Sequence, residues 1–193
     1  MSQTTSQASP ETRRMRADAR RNYERLIAAA RELFRDGDAD TSLEAIAQRA
    51  GVGIGTLYRH FPNRLALLEG VYRDEVDALG ARSQQLLDDA DPWDGLVQFL
   101  NDFVDYAATK RALFHELVDA VGRDSELLTH SRQIITTAFE CMLSKAQEAG
   151  VAKTEVTAGD LTRLVGGCTM MPGAIDDDQR RRMLAVVLDG IRV

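Results

Sequence analysis

Two short stretches with helical spacing, separated by a glycine, restrict the fold of this chain more than any other feature of its sequence. Their apolar positions recur at intervals of three and four residues, which predicts two helices with one buried face each. These positions are Leu43, Ile46, Ala47 and Ala50 in the first stretch and Val52 and Leu57 in the second, with Gly51 between them. Two short helices joined by a tight turn containing glycine form a helix-turn-helix.

The rest of the chain has the same helical spacing, and strict two-residue alternation is absent. We therefore predict an all-α fold of about nine helices. Thr41 and Glu44 have the spacing of a capping box, which predicts Thr41 as the cap of the first motif helix. Asp91 followed by Pro92 predicts another helix start. The helix from Pro92 is expected to end near Ala107, and a separate short helix is expected from about Arg111 to Val121.

The two parts of the chain carry opposite net charge. Residues 1–64 contain 11 arginines against 8 acidic residues, whereas residues 65–193 contain 13 basic and 22 acidic residues. A basic N-terminal module can bind phosphate while an acidic body stays away from it. The basic density is highest between Arg13 and Arg21, and a merely solvated tail is an equally good interpretation of that run. Residues 1–17 have few apolar residues and are predicted to form a disordered basic arm.

Several classes of protein are disfavoured by what the sequence lacks. No apolar run approaches the roughly 20 residues needed to cross a bilayer, and the first residues do not form a secretory signal. No metal-ligand spacing, di-iron motif or phosphate-cradling glycine loop is present, which argues against an enzyme built on a helical bundle. We expect a cytoplasmic protein without metal or cofactor, in which Cys141 and Cys168 are buried thiols.

The motif region strongly resembles the tetracycline-repressor (TetR-type) family of regulators. The resemblance covers about Ala19 to Val71, and its most specific part is the run from Thr56 to Phe61, which reads Thr-Leu-Tyr-Arg-His-Phe. The other matching positions are 41–47, 50–52, 55, 64, 65 and 68. The resemblance implies a three-helix DNA-binding domain over residues 18–64, behind the arm, and a ligand-binding and dimerisation domain over residues 65–193.

The resemblance and the donor chemistry of the side chains together predict the DNA-binding residues. The start of a recognition helix reaches base edges, while its end and the flanking caps hold phosphates. We assign Ile54, Gly55, Thr56 and Arg59 to bases, and Ser42, Tyr58, His60 and Arg64 to phosphates. Alternatives stay open for four of them. Arg59 is equally suited to a phosphate, Ser42 to a cap alone, Tyr58 to packing on the first helix, and His60 to a structural role.

The resemblance also implies what the body does. The last two helices, about residues 157–191, are expected to pair with a second copy in a homodimer, which suits a pseudo-palindromic double-stranded operator. A small hydrophobic organic effector is expected among the central helices. The residues assigned to it are Phe103, Tyr106, Phe114, His115, Phe139, Met142 and Met171, for all of which plain core packing is the alternative. The predicted function is a ligand-relieved repressor; the alternative is a ligand-independent DNA-binding or protein-interaction factor with a solid body.

Overall fold

The structure is a computed structural model that describes residues 10–35, 41–170 and 176–193. Within these ranges it gives only the backbone at residues 10–13, 35, 108, 109, 112, 114, 115, 168–170 and 177. The described helices are α1 (Pro10–Arg35), α2 (Leu43–Ala50), α3 (Ile54–His60), α4 (Arg64–Asp89), α5 (Pro92–Val121), α6 (Glu126–Glu148), α7 (Ala158–Met170) and α8 (Asp177–Ile191). An isolated antiparallel bridge joins Ala152 to Arg192. The predicted all-α class is confirmed.

The chain divides into two compact units. The first ends at Leu67 and the second begins at Leu68, three residues after the boundary expected from the sequence. Helix α4 supplies residues to both units, because it runs from Arg64 to Asp89. The first unit contains the helix-turn-helix, and the second contains the remainder of α4 and helices α5 to α8.

Short polar side chains mark most of the helix starts. Each accepts a hydrogen bond from a backbone N–H in the first turn, which satisfies a donor that has no partner within the helix. These caps are Ser42 for α2, Asn63 for α4, Asp91 for α5, Ser125 for α6 and Asp176 for α8. At the start of α7, Thr157 and Asp160 bond each other's backbone N–H groups. The cap at Asp91 agrees with the helix start predicted there from the sequence.

Two expectations about helix boundaries are wrong. Residues 10–17, predicted to be disordered, belong to α1, where ion pairs one turn apart join Arg21 to Asp18 and Arg20 to Glu24. Residues 1–9 lie outside the described residues. The break expected between Ala107 and Arg111 is also absent, since α5 is continuous from Pro92 to Val121. No glycine or proline lies between Ala107 and Arg111, and the helix ends at Gly122.

The core of the second unit is built around aromatic rings. The ring of Phe139 is fully buried and meets two other rings edge to face, with centroid distances of 5.0 Å to Phe99 and 4.8 Å to Phe103. Met142 is buried one turn further along α6. None of the helices in the described ranges has the length and apolar character needed to span a bilayer.

Candidate nucleic-acid interface

The turn between α2 and α3 is fixed by backbone geometry and by one arginine. Gly51 adopts φ +64°, a left-handed conformation that favours glycine. Its N–H donates to the Gln48 carbonyl, and the Val52 N–H donates to the Ala47 carbonyl, which is the Schellman arrangement. Arg25 of α1 donates a hydrogen bond to the Gly51 carbonyl at 3.2 Å. The turn is thus attached to α1, a contact that the sequence did not predict.

Helix α3 has one buried face and one exposed face. Leu57 is fully buried and Phe61, just after the helix, is nearly so. On the other face, Ile54 is 39% exposed and Tyr58 is 45% exposed. Arg59 and Gly55 are also exposed, and Thr56 is half-buried. The buried residues hold the helix, so the opposite face presents one apolar, one hydroxyl-bearing and one cationic side chain to a partner.

Glycines leave the approach to α3 open. A Cβ atom placed on Gly53 or on Gly55 would meet no atom within 4 Å outside its immediate backbone. The backbone conformation at both positions is one that other residues adopt. Neither glycine is therefore required by packing within the fold. The missing side chains leave room for another molecule to approach the start of α3 closely.

The cap of α2 is Ser42, which corrects the prediction of Thr41. The Ser42 hydroxyl accepts from the Ala45 N–H at 3.2 Å, and the Ser42 side chain is exposed. Thr41 is buried instead, and its carbonyl accepts a hydrogen bond from Arg64 at 2.6 Å. The Arg64 guanidinium also lies over the Phe34 ring, 5.7 Å from its centroid. Arg64 therefore holds the segment that enters α2, next to the exposed Ser42.

His60 belongs to an aromatic cluster on α1. Its ring lies 6.1 Å from that of Tyr23, and the Phe61 ring lies 5.2 Å from the same tyrosine. His60 is half-buried, whereas Tyr58, from the same helix, stays on the exposed face. Packing on α1 was the alternative interpretation for Tyr58, but the rings that contact α1 are those of His60 and Phe61.

The residues assigned to an effector separate into two groups. Phe103, Tyr106, Phe139 and Met142 are all buried, and the first three belong to one chain of ring contacts. The side chains of Phe114 and His115, and all of Met171, lie outside the described residues. Their burial is compatible with both interpretations, core packing and the wall of a closed pocket.

A polar cluster that the sequence did not predict lies beside this core. The Tyr106 hydroxyl donates to the Tyr72 hydroxyl at 3.3 Å, and the Lys110 ammonium lies 5.8 Å from the centroid of the Tyr106 ring. Burial raises the pKa of Tyr106 and lowers the pKa of Lys110, which the positive charge of Arg132 lowers further. A sequence signal existed, because Lys110 shares the helical spacing of Phe103, Tyr106, Leu113 and Leu117. A lysine on the apolar face of a helix is uncommon enough to mark a site.

The last two helices retain exposed apolar residues. Leu161, Val165, Leu184 and Ile191 are buried within the unit. Leu164 of α7 is 51% exposed and Val186 of α8 is 71% exposed. Elsewhere, Cys141 was expected to be buried, but it is exposed. Among the described side chains, no group of three or more His, Cys, Asp or Glu is placed to hold a metal ion.

Comparison with known proteins matches both parts of the chain. Residues 26–71 match "Bacterial regulatory proteins, tetR family", and residues 91–193 match "Transcriptional regulator SbtR-like, C-terminal domain". The chain is 37% identical over 76 residues to an HTH-type transcriptional regulator of Staphylococcus aureus (strain USA300). That match spans 39% of this chain and 41% of the relative.

Two solved structures resemble the chain over most of its length. The TetR transcriptional regulator SCO0520 from Streptomyces coelicolor is 35% identical with a TM-score of 0.75, and the match covers 88% of this chain and 98% of that one. The TetR transcription regulatory protein from Mycobacterium vanbaalenii is 30% identical with a TM-score of 0.74, over 93% and 99% of the two chains.

Proposed function

The chain belongs to the TetR family of DNA-binding transcriptional regulators, which are not enzymes, and we propose that it is a repressor released from its operator by a small ligand. One observation supports its own DNA-binding role most directly. Helix α3 is anchored by Leu57 and Phe61 and directs Tyr58 and Arg59 outward, beside glycines that packing does not require. This is what a helix that enters a major groove needs.

We propose different roles for two sets of residues in and around α3. Ile54, Gly55, Thr56 and Arg59 face the base edges, with the Thr56 methyl suited to a thymine methyl and Arg59 to a guanine. Ser42 and Tyr58 donate to phosphates and set the register. We place His60 and Arg64 in the phosphate-facing set because they position the residues that contact the phosphates. His60 packs on Tyr23, and Arg64 holds the Thr41 carbonyl, so both fix the geometry around Ser42 and Tyr58.

The active form in this proposal is a cytoplasmic homodimer. Exposed Leu164 and Val186 on α7 and α8 support pairing of these helices with a second copy. A two-fold dimer reads a pseudo-palindromic operator with one α3 per half-site. Helix α4 supplies Arg64 to the first unit and Tyr72 to the second. In this proposal the position of α4 differs between a DNA-binding state and a released state. A ligand relieves repression because it binds the released state more tightly than the DNA-binding state.

The proposed function is tested by measuring binding to DNA from the region upstream of the protein's own coding sequence. Fluorescence anisotropy at two salt concentrations compares the natural protein with Tyr58→Ala. We expect the variant to lose about 1 kcal/mol per half-site on every sequence tested, because a phosphate contact carries no base preference. Unchanged affinity would remove Tyr58 from the interface. Failure of the natural protein to prefer this DNA over a scrambled duplex would contradict the presence of a sequence-specific operator in this region.

Arg59→Ala is expected to change sequence preference as well as affinity. A bidentate guanine contact contributes about 1–3 kcal/mol of discrimination, so each half-site should become tolerant at one base pair. The measurement is anisotropy on operators substituted at every position in turn. Arg49→Ala is the matched control, since Arg49 is engaged by Glu32 of α1 through two hydrogen bonds. If Arg59→Ala weakened all sequences equally, Arg59 would be assigned to a phosphate.

Gly55→Ala is expected to strengthen the fold while weakening operator binding. Alanine is favoured over glycine in a helix by about 0.5–1 kcal/mol, and its Cβ meets nothing in the fold. The same methyl enters the space proposed for DNA, and we expect at least about a fivefold loss of affinity, equivalent to about 1 kcal/mol. Thermal unfolding and anisotropy measure the two effects separately.

Gly51→Ala supplies the contrast. Its left-handed φ costs alanine about 1–2 kcal/mol, and the new Cβ would lie 2.6 Å from an Arg25 nitrogen, so the first unit should lose stability. If Gly55→Ala destabilised the fold as Gly51→Ala does, the open approach at α3 would be structural rather than functional.

A further inference from the structure

A small cavity that opens to solvent in the second unit is lined by three basic side chains, of which Arg123 and Arg132 are exposed and Lys110 is half-buried. Its volume is about 110 Å³, and its lining residues are Tyr72, Lys110, Arg123, Leu128 and Arg132. They come from α4, α5, α6 and the connection between α5 and α6. None of these described lining residues is acidic. Arg132 forms an ion pair with Asp124 at 3.9 Å, in which the Arg132 side chain is 59% exposed and the Asp124 side chain is fully exposed.

Arg132 is held in place by the turn it faces. Its Nη2 donates to the Arg123 carbonyl at 2.9 Å and to the Thr129 hydroxyl at 3.4 Å. Its Nε donates to the Leu128 carbonyl at 3.3 Å. The guanidinium is therefore oriented before any ligand arrives, which lowers the entropy lost on binding an anion.

Lys110 brings a second positive charge to the same cavity from the apolar face of α5. Its ammonium lies over the Tyr106 ring, and Tyr106 in turn is bonded to Tyr72. Burial lowers the pKa of Lys110, and the positive charge of Arg132 lowers it further, while burial raises the pKa of Tyr106. Glu75 adds negative charge near Tyr106, but it does not line the cavity.

We propose that this cavity binds the anionic head group of an organic ligand, a carboxylate or a phosphate, between Lys110 and Arg132. A cavity of about 110 Å³ suits a head group, because whole ligands of drug size occupy pockets of roughly 300–1,000 Å³. Guanidinium and ammonium groups are the usual partners of such oxyanions. The inference rests on the proposed function, since it gives the chemical class of the effector: an organic acid rather than an uncharged hydrophobic molecule.

The position of the cavity gives the anion a means of acting on the fold. Tyr72 lies on α4, Lys110 on α5 and Arg132 on α6, so one bound head group contacts three helices. One of these residues, Arg132, also bonds the Arg123 carbonyl in the connection between α5 and α6, where Gly122 has φ +81°. A ligand there favours the arrangement of these helices in which the charges converge on it.

The test is calorimetric titration and thermal unfolding of the full chain with sodium benzoate, sodium octanoate and phenyl phosphate. Benzyl alcohol and 1-octanol are the uncharged counterparts, and sodium chloride keeps the ionic strength constant. We expect at least one anion to bind saturably and the alcohols not to bind. Benzoate and phenyl phosphate distinguish a carboxylate site from a phosphate site. Lys110→Met and Arg132→Gln should each weaken anion binding roughly tenfold or more, because each removes a charge-assisted hydrogen bond.

Two matched variants control for general effects of charge and of folding. Arg73→Gln removes an exposed arginine from α4 that does not line the cavity, and it should leave anion affinity unchanged. Lys110→Arg keeps the charge and should retain binding where Lys110→Met loses it. The proposal is overturned if no anion binds, if the alcohols bind equally well, or if anion binding by the Lys110→Met and Arg132→Gln proteins matches that of the natural one.

Operator binding is measured separately on the same proteins without added anion. Calorimetry decides the anion site whether or not DNA is bound, so the two proposals fail independently. An anion that binds in a Lys110-dependent manner without lowering operator affinity supports the site and contradicts ligand relief. Loss of operator affinity on adding that anion supports both.

Discussion

Leu164→Arg is expected to disrupt the proposed dimer and leave a monomer at micromolar concentration. Leu164 is 51% exposed between Leu161 and Val165, which are buried within the unit. In the proposed dimer it is covered by a second copy, and an arginine there becomes a buried charge without a partner. Such a charge costs roughly 3–5 kcal/mol, and two-fold symmetry introduces two of them. Sedimentation equilibrium over a range of concentrations measures the change.

Loss of the dimer should also weaken operator binding by the Leu164→Arg protein. A monomer contacts one half-site, so the preference for a two-half-site operator over a single half-site should largely disappear. Ala149→Arg, at an exposed position just after α6, is the control and should remain dimeric. A Leu164→Arg protein that stays dimeric with unchanged affinity would show that α7 does not form the interface.

Phe139→Ala is expected to lower the free energy of unfolding by about 3–5 kcal/mol, the usual cost of truncating a buried aromatic residue. Its ring is fully buried and packs edge to face on both Phe99 and Phe103. Denaturant unfolding at fixed protein concentration measures the loss, because dimerisation makes the apparent stability depend on concentration.

This substitution also separates the two interpretations of the aromatic residues in the body. Gln133→Ala, exposed on the same helix, should change stability by less than about 0.5 kcal/mol. A loss of less than about 1 kcal/mol for Phe139→Ala would mean that the ring borders empty space, as a ligand-pocket residue does, rather than filling the core.

The first unit could be predicted from the sequence in considerable detail. Helical periodicity, Gly51 and the resemblance of the motif together located α2, α3 and the outward face of α3. The errors were local. Thr41 and Ser42 are both good caps by residue type, and in the folded chain Ser42 caps the helix while Thr41 is buried and its carbonyl accepts from Arg64, 23 residues away. The contact of Arg25 with the Gly51 carbonyl is likewise invisible to periodicity, since it joins separate helices.

The second unit was predictable in class but not in its sites. Apolar spacing indicates that Phe103, Tyr106, Phe139 and Met142 face inward, but it does not distinguish core from pocket. That distinction depends on ring-to-ring distances, which only the folded chain supplies. The basic cavity was missed because its residues lie on separate elements, from Tyr72 to Arg132, and only Lys110 carried a local signal. A search for charged residues on apolar helix faces would have found it.

The measurement that tests the central claim most directly is a binding selection from random double-stranded DNA, carried out at two salt concentrations. If the protein is a sequence-specific dimeric regulator, a pseudo-palindrome should emerge at both, with half-sites spaced by about one helical turn. Thr56→Ala should then relax preference at one position in each half-site. If no sequence is enriched and all binding is lost at physiological salt, the attraction is purely electrostatic and the account of α3 as a reading helix is wrong.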